Sequence, residues 1–273
     1  MGTIKSLKQL KGHRAVVTGA SSGIGEQYAK QLAALGVNLV LAARRLDRLD
    51  FLAEQLRSKY SVKVDCVAVD LGAPGAAKKL FDAATSNGQS VTLLINNAGL
   101  GKYGLFMDFP LEDHQAILQV NSVSPTELTY FFVRHMLKHG QPSWITQVAS
   151  IAAFQSVGNF SVYSATKSYL RIFSETLAFE LRKTPIKVMC LCPGGTYTEF
   201  FEQSGQKITP SGHRTMMTSE AVVQGGLKAM LNGNTVFVPG LLNKLACFFP
   251  RFLPRGLSLF LAFKAMSRAV EKV

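Results

Sequence analysis

The sequence predicts an α/β fold, a doubly wound parallel sheet with helices on both of its faces. Its apolar segments are short and continuous, which is typical of strands that are buried on both sides. Stretches long enough for helices separate these segments, and the first segment runs directly into a glycine-rich turn. With 273 residues, of which 47% are hydrophobic, the chain can bury one large core, so we expect a single domain.

The expected strands place polar residues at one edge of the sheet. We predict strands at residues 15–17, 37–42, 64–69, 93–96, 144–148, 187–192 and 235–238, with helices between them. Asp70, Asn96, Ser150 and Pro193 each lie at or just after the end of one of these strands. Sheets of this kind bind ligands beyond the carboxyl ends of their strands, so these four segments should meet at one site.

A glycine-rich loop at residues 18–25 joins the first strand to a helical stretch. Gly19 can take the positive φ of a tight turn, Gly23 lets the backbone approach a pyrophosphate, and Gly25 permits close packing of helix on strand. A glycine turn that binds nothing is the alternative, but the position between strand and helix favours a dinucleotide site. The other predicted contacts in this loop are Ser21, Ser22 and Ile24.

Tyr163 and Lys167 are four residues apart, and Ser150 lies thirteen residues before Tyr163. Residues four apart share one face of a helix, so the Lys167 ammonium can favour the phenolate form of Tyr163 and support proton exchange. Alone, a tyrosine and a lysine at this spacing are a weak signal, because many solvated helices carry them. Their combination with the glycine loop makes a carbonyl or alcohol the expected substrate.

Together, these motifs resemble those of the short-chain dehydrogenase/reductase family, and the match covers most of the chain before about residue 200. The resemblance implies a Rossmann fold that binds a nicotinamide dinucleotide. Val238, Pro239 and Gly240, with the tail after them, resemble the subgroup of long-chain ketoacyl and hydroxysteroid-type reductases. The matching residues are 18–25, Asp70 with Leu71, 96–99, Asn121, Ser150, Tyr163 with Lys167, and Pro193 with Gly194.

The resemblance also implies a role for each catalytic residue. Tyr163 is expected to be the general acid in reduction and the general base in oxidation, while Ser150 holds the substrate oxygen. Lys167 is expected to hold the nicotinamide ribose and to lower the pKa of Tyr163. Asn121 is expected to position a water that links Lys167 to solvent, although it could instead satisfy buried backbone, just as Ser150 could merely cap a turn.

The choice of cofactor depends on the residues directly after the second strand. Arg44 and Arg45 stand where a carboxylate would bind the ribose of NAD, and they can pair with a 2'-phosphate, so we expect NADP(H), with NAD(H) the less favoured alternative. Ser22 stands where many NADP-preferring relatives carry a basic residue, which weakens this preference. Asp70 resembles the family residue that contacts adenine, but it could also cap a helix. Further cofactor contacts are expected at Leu71, Asn97, Ala98, Gly99, Pro193, Gly194, Thr196 and Thr198, and Asn96 is expected to line the same channel.

The substrate is expected to be moderately large and apolar. Family members build the substrate wall from a loop that corresponds to about residues 195–220 here, and residues 199–215 are compatible with a mobile lid or with an ordinary surface loop. A composition shift near residue 203 suggests that the core ends there. Apolar pocket residues are expected at Met107, Phe109, Phe154 and Phe160, although such residues more often belong to the core.

The segment 241–273 differs from the catalytic part, 1–240, because its apolar residues are interrupted by prolines and basic residues. It is too broken to span a bilayer, for which about twenty consecutive apolar residues are needed. An amphipathic extension that lies on a membrane surface is one interpretation. A helical cap over the core, an acyl-chain contact and a subunit interface are the others.

The net charge of +13 favours anionic partners such as lipid head groups, acyl carriers and NADP phosphates. No run of five basic residues occurs, so we expect no specific nucleic-acid binding.

The four cysteines lack zinc-ligand spacing and a disulfide pattern, so we expect reduced thiols and no metal. We expect a cytoplasmic protein, since no apolar signal stretch precedes the first strand, with peripheral contact at the inner membrane face left open. The family resemblance implies a homo-oligomer, formed through helices that include the one bearing Tyr163. Residues 1–6 match a loose myristoylation pattern, to which we give no weight.

The function predicted from the sequence is hydride transfer between NADP(H) and a ketone or aldehyde, or the corresponding secondary alcohol. An NADP(H)-responsive binding or regulatory protein is the main alternative, but such a protein has no need for all four of Asn121, Ser150, Tyr163 and Lys167. An NAD-linked alcohol dehydrogenase is the second alternative.

Overall fold

The computed structural model describes residues 7–86 and 88–272, so the myristoylation pattern at residues 1–6 lies outside the described residues. The strands are β1 (Arg14–Thr18), β2 (Asn38–Ala43), β3 (Val64–Ala68), β4 (Leu93–Asn96), β5 (Ser143–Val148), β6 (Ile186–Leu191), β7 (Gln206–Ile208), β8 (Val236–Phe237) and β9 (Val270–Lys272). Within the described part of the chain, seven strands form one parallel sheet in the order β3-β2-β1-β4-β5-β6-β8. This confirms the predicted doubly wound sheet. The bounds of the seven predicted strands agree with those of the seven strands in this sheet to within one residue at each end.

The helices cover both faces of the sheet. They are α1 (Gly23–Ala34), α2 (Leu46–Tyr60), α3 (Ala76–Thr85), α4 (Leu111–Leu118), α5 (Ser124–His139), α6 (Ser161–Glu180), α7 (Phe200–Gln203), α8 (Pro210–His213), α9 (Ser219–Leu231), α10 (Leu241–Phe248) and α11 (Arg255–Ala269). Short 3₁₀ turns occupy Leu7–Leu10, Phe106–Asp108, Ile151–Ala153, Leu181–Lys183 and Phe249–Phe252, and one π-helical turn occupies Gln119–Val123.

Strand β1 shows why the strands are apolar throughout. Ala15 and Val17 point into a core formed with α1, α2 and α9, whereas Val16 points into a second core formed with α3 and α5. Because successive side chains of a strand face opposite sides, burial on both sides requires every position to be apolar. The strands are therefore central elements with a helix layer on each face.

The chain after residue 203 belongs to the same domain. Helix α9 packs on α1, and β8 pairs with β6 through Cys190 opposite Val236, so the suggestion that the core ends near residue 203 is wrong. The polar composition there reflects a short excursion through α7, β7 and α8 before the chain returns to the sheet.

The last residues fold back on this excursion. Strand β9 pairs antiparallel with β7, with Lys272 opposite Gln206 and Val270 opposite Ile208. The side-chain hydroxyls of Thr209 and Ser211 both donate to the Arg268 carbonyl, at 2.6 and 2.7 Å. These contacts fix the end of α11 beside the segment that precedes α9.

Candidate active site

The glycine loop has the geometry that a dinucleotide needs. Gly19 and Gly23 have φ angles of 63° and 59°, in the left-handed region that favours glycine. A Cβ on Gly25 would collide with the Gly19 carbonyl and the Asn97 side chain, so this glycine lets α1 pack closely on the sheet. Ser22, which precedes α1, makes no side-chain hydrogen bond to the start of the helix.

The ends of β1 and β4 are joined by Thr18. Its hydroxyl oxygen accepts hydrogen bonds from the backbone N–H groups of Asn97 and Ala98, at 2.9 and 3.0 Å. The Asn97 side chain donates to the Thr18 carbonyl at 2.8 Å. Asn97 and Ala98 therefore lie beside the glycine loop, and Gly99 lies next to the side chains of Lys167 and Asn121.

Asn96 does not line this site, which corrects the expectation for it. Its side chain is buried and donates to the Thr129 hydroxyl at 3.2 Å, toward α5. Successive residues at a strand end point to opposite faces, so only one of the two neighbouring asparagines can face the loop.

Tyr163 and Lys167 lie on α6, one turn apart, with the Lys167 ammonium nitrogen 5.6 Å from the centre of the Tyr163 ring. Both side chains are buried. The ammonium donates to the Val148 carbonyl at 2.9 Å. Ser150 follows the end of β5 by two residues, and its hydroxyl lies close enough to the Tyr163 phenol to act on its pKa, so the end of β5 and α6 meet at one point. Its oxygen also caps the next turn by accepting from the Ala152 N–H at 3.1 Å.

The pKa values of this pair are set mainly by burial. Burial raises the pKa of the Tyr163 phenol to about 12, and the nearby Ser150 hydroxyl acts in the opposite direction. Burial lowers the pKa of the Lys167 ammonium to about 8. The raised pKa of Tyr163 differs from the lowering that we expected from Lys167, because aromatic rings enclose the phenol and the ammonium points to the Val148 carbonyl. The side chain present near pH 7 is thus the neutral phenol.

Asn121 is fully buried in the π-helical turn. Its side-chain oxygen accepts from the Leu100 N–H, and its side-chain nitrogen donates to the Leu100 carbonyl, each at 2.8 Å. The nitrogen also donates to the Thr166 hydroxyl at 3.1 Å, and Thr166 is the residue before Lys167. Asn121 therefore ties the segment after Gly99 to the helix that carries Tyr163 and Lys167.

Arg45 stands over the glycine loop. Its guanidinium donates to the hydroxyls of Ser21 and Ser22, at 3.0 and 3.2 Å, and forms an ion pair with Glu199 at 2.8 Å. Arg48, which sequence reasoning missed, pairs with the other oxygen of Glu199 at 2.5 Å. Its spacing of three residues from Arg45 could have indicated a shared face. Arg44 is exposed at the edge of the same cavity.

Asp70 closes a turn by accepting from the Gly72 N–H at 2.9 Å. Helix α3 begins only at Ala76, so Asp70 does not cap it. On the opposite wall, the Pro193 carbonyl accepts from the Ile151 N–H at 2.9 Å, which aligns the segment after β6 with the Ser150 turn. Thr198 packs against Gly23, where an added Cβ would lie 2.8 Å from its methyl group.

These residues line one cavity of about 710 Å³. Among the predicted catalytic and cofactor-binding residues, three do not line this cavity. Asn96 faces α5, Gly25 packs below the glycine loop, and Asn121 lies behind Leu100; all the others line the cavity. Phe160 also lines it. The expectation for Met107, Phe109 and Phe154 is wrong, because Met107 is 86% exposed, Phe109 faces a small separate pocket, and Phe154 packs on a different core cluster.

The cavity wall beside Tyr163 is largely apolar, and the polar side chains of Gln203, Gln206 and Arg268 line the cavity as well. Residues 199–215, expected as a lid or a surface loop, contribute Phe200 and Phe201, and the tail contributes part of α10 and α11. Sequence reasoning named this tail as a possible cap but did not identify its lining residues. They are Leu242, Asn243, Ala246, Ala262, Ala265, Met266, Arg268, Ala269 and Val270.

The residues fit a nicotinamide dinucleotide. Gly19 and Gly23 leave a concave backbone surface, and the uncapped amino end of α1 offers N–H groups to a phosphate. The cavity runs from this loop to Tyr163, Lys167 and Ser150. One end can therefore hold the phosphates while the other presents Ser150, Tyr163 and Lys167.

A family model described as short chain dehydrogenase matches residues 13–209. The chain therefore belongs to the short-chain dehydrogenases. This confirms the resemblance drawn from the motifs.

Similar proteins have related names. "11-beta-hydroxysteroid dehydrogenase-like 2" of Arabidopsis thaliana is 35% identical over 73% of this chain, and the match spans 65% of that relative's length, less than two thirds. The human "very-long-chain 3-oxoacyl-CoA reductase" is 28% identical over 81% of this chain and 71% of its own. These names agree with the hydroxysteroid and ketoacyl subgroup.

A short-chain dehydrogenase from Sphingobium yanoikuyae, solved with NADPH, has a TM-score of 0.78 and 30% identity over 84% of this chain and 88% of its own. Another structure with this fold, from Burkholderia phymatum, was solved with NAD; it has a TM-score of 0.80 and 24% identity over 89% of this chain and 94% of its own. Both of these structures were thus solved with a nicotinamide dinucleotide.

Replacing Lys167 by Met is expected to stabilise the cofactor-free protein at pH 7 by about 1–3 kcal/mol, because a buried ammonium is costly. The folded pKa of about 8 lies below the unfolded value of 10.5, so the penalty is full below pH 8 and disappears as the pH approaches 10.5. Denaturant unfolding at pH 7 and pH 10 measures this, and the gain should shrink at pH 10. Lys79→Met, at an exposed position on α3, is the control and should change stability by less than about 0.5 kcal/mol. A loss of stability in Lys167→Met at pH 7 would contradict the assignment.

Proposed function

We propose that the protein reduces the ketone or aldehyde of a moderately large, apolar substrate with NADP(H), and catalyses the reverse oxidation. The observation that carries this proposal is that Ser150, Tyr163 and Lys167 line one large cavity together, with the Tyr163 side chain buried and the Lys167 ammonium 5.6 Å from its ring centre. A phenol with a raised pKa keeps its proton until charge develops on a neighbouring oxygen, which suits the general acid of a reduction. We retain residues 1–240 as the catalytic part and 241–273 as its extension.

The bound dinucleotide supplies the hydride to the carbonyl carbon. The Ser150 hydroxyl hydrogen-bonds to the substrate oxygen and holds it against Tyr163. As negative charge develops on that oxygen, the Tyr163 phenol gives up its proton to it, so one hydride and one proton convert C=O to CH–OH. The Lys167 ammonium, buried beside the phenol, stabilises the phenolate that results. Asn121 holds the backbone of this group in place.

An apolar substrate is supported by the apolar side chains that line the cavity beside Tyr163. Phe200, Phe201, Ile208 and Met266 offer carbon surface, and the ring of Phe200 lies 5.3 Å from that of Tyr163. Burial of such surface favours a lipophilic ligand by about 25 cal/mol per Å². The hydroxysteroid and long-chain oxoacyl names of the relatives agree with this substrate class.

The preference for NADP(H) over NAD(H) is supported by the cations at the end of β2. Arg44, Arg45 and Arg48 lie on the segment after this strand, and residues 41–45 contain no carboxylate. Guanidinium groups bind phosphate in a planar, charge-assisted manner.

Tyr163→Phe is expected to lower the reduction rate by at least about a thousandfold, because it removes the proton donor and leaves the ring. The measurement is NADPH and NADH consumption over a carbonyl panel from short aldehydes to 3-ketoacyl thioesters, steroid ketones and quinones. NADPH affinity, followed by fluorescence, should change little. Tyr169→Phe, on the exposed side of the same helix, is the control and should keep full activity. Full activity in Tyr163→Phe would contradict the proposed acid, and faster turnover with NADH would contradict the cofactor preference.

We further propose that the protein is a homo-oligomer through α5 and α6. These helices expose large apolar side chains, which is typical of subunit interfaces. They are Tyr130, Leu137, Tyr169, Ile172 and Phe179.

Ile172→Glu is expected to shift the assembly toward the monomer, because it places a charge within this apolar face. Light scattering measures the mass, which for the wild type should be a multiple of 29.7 kDa. Phe51→Glu on α2, also exposed, is the control and should leave the mass unchanged. A monomeric wild type would overturn the proposal.

The tail also supports contact with an anionic membrane surface. Residues 241–270 include five basic and no acidic residues. Their outer face exposes Phe248, Phe249, Phe252 and Phe260, the pattern of an interfacial segment. In the described ranges, no helix is long and apolar enough to cross a bilayer.

Phe252→Asp is expected to weaken binding to vesicles of phosphatidylcholine with phosphatidylglycerol by about tenfold or more, since it removes buried apolar area and adds a repelled charge. Vesicle flotation measures binding, and Phe51→Asp on α2 is the control. Wild-type protein that stays with the soluble fraction at low salt would show that the tail does not bind membranes.

A further inference from the structure

Glu199 forms ion pairs with Arg45 and Arg48, whose guanidinium groups we propose select the cofactor. One carboxylate oxygen lies 2.8 Å from Arg45, and the other lies 2.5 Å from Arg48. All three side chains are between one third and one half exposed, at 36% for Arg45 and Glu199 and 46% for Arg48. The same Arg45 guanidinium also holds the hydroxyls of Ser21 and Ser22 in the glycine loop.

The position of these groups makes Glu199 a competitor for anions. A 2'-phosphate on a bound dinucleotide would need the cations after β2, and Glu199 already neutralises two of them. A phosphate monoester carries about −1.5 to −2 charges near pH 7, whereas a carboxylate carries one. Exposed ion pairs are weak, so a phosphate can displace the carboxylate, but at a cost in affinity.

Glu199 is also connected to the substrate side of the cavity. It immediately precedes α7, whose first residue, Phe200, packs against the ring of Tyr163 at 5.3 Å. Thr198, on the other side of Glu199, packs against Gly23 of the glycine loop. Glu199 therefore lies between the cofactor loop and the substrate wall.

We propose that Glu199 is a specificity-determining residue, whose carboxylate competes with the 2'-phosphate of NADP(H) for Arg45 and Arg48. It thereby weakens binding of the phosphorylated cofactor and leaves binding of NAD(H) unchanged. The inference rests on the proposed function only in taking the site after β2 as the cofactor's ribose site. It does not depend on which cofactor the wild type prefers.

The test measures binding rather than turnover. Isothermal titration with adenosine 2',5'-bisphosphate and with 5'-AMP isolates the contribution of the 2'-phosphate, and NADPH and NADH are titrated in parallel. In Glu199→Gln the Kd for the two 2'-phosphorylated ligands is expected to fall about 3- to 30-fold, with no change for 5'-AMP and NADH. Glu202→Gln, the exposed acid three residues later on α7, is the matched control and should change no Kd.

Arg48→Met provides a second, independent variant, because it removes one of the shared cations. It is expected to weaken binding of adenosine 2',5'-bisphosphate and to leave 5'-AMP unchanged. Unchanged or weaker binding of the phosphorylated ligands in Glu199→Gln would overturn the proposal, as would equal tightening of all four ligands.

These outcomes separate this inference from the proposed cofactor preference. If the wild type binds NADH more tightly than NADPH but Glu199→Gln selectively tightens NADPH, the preference for NADP(H) fails and the role of Glu199 stands. If the wild type prefers NADPH and Glu199→Gln changes nothing, the preference stands and the role of Glu199 fails.

Discussion

Burial of the parallel sheet on both faces is the constraint on which the rest of this structure depends. Because α1 and α9 cover one face and α3 and α5 the other, the strand interiors admit almost only apolar side chains. The polar groups that bind or react must then lie where the strands end. Thr18 shows how this edge is ordered, since its hydroxyl joins the ends of β1 and β4 and so positions the glycine loop beside Asn97.

The reactive side chains at this edge of the sheet have pKa values that burial has shifted. Tyr163 and Lys167 are buried among aromatic rings and backbone, and burial disfavours the charged form of each. The site therefore holds an uncharged phenol next to an ammonium that loses its proton more readily than an exposed lysine does. Such opposed shifts are common where proton transfer is the task, and the buried Lys167 ammonium lowers the stability of the empty protein near pH 7.

The tail connects two surfaces that are otherwise separate. One side of α11 lines the cavity through Ala262 and Met266, while its other side exposes Phe260 to solvent. The antiparallel pair of β7 and β9 fixes this helix against the segment that begins at Glu199.

The sequence by itself determined the strands, the glycine loop and the spacing of Ser150, Tyr163 and Lys167, because these features depend on local periodicity and on residues near one another in the chain. Only the tertiary structure decided the rest. Side chains alternate between the two faces at the end of β4, so Asn96 and Asn97 point in opposite directions. The tertiary packing, which no local pattern encodes, left Met107, Phe109 and Phe154 outside the cavity. The pKa of Tyr163 and the pairing of Glu199 with Arg45 and Arg48 depend on groups brought together from distant parts of the chain, so burial and proximity determined them, not spacing.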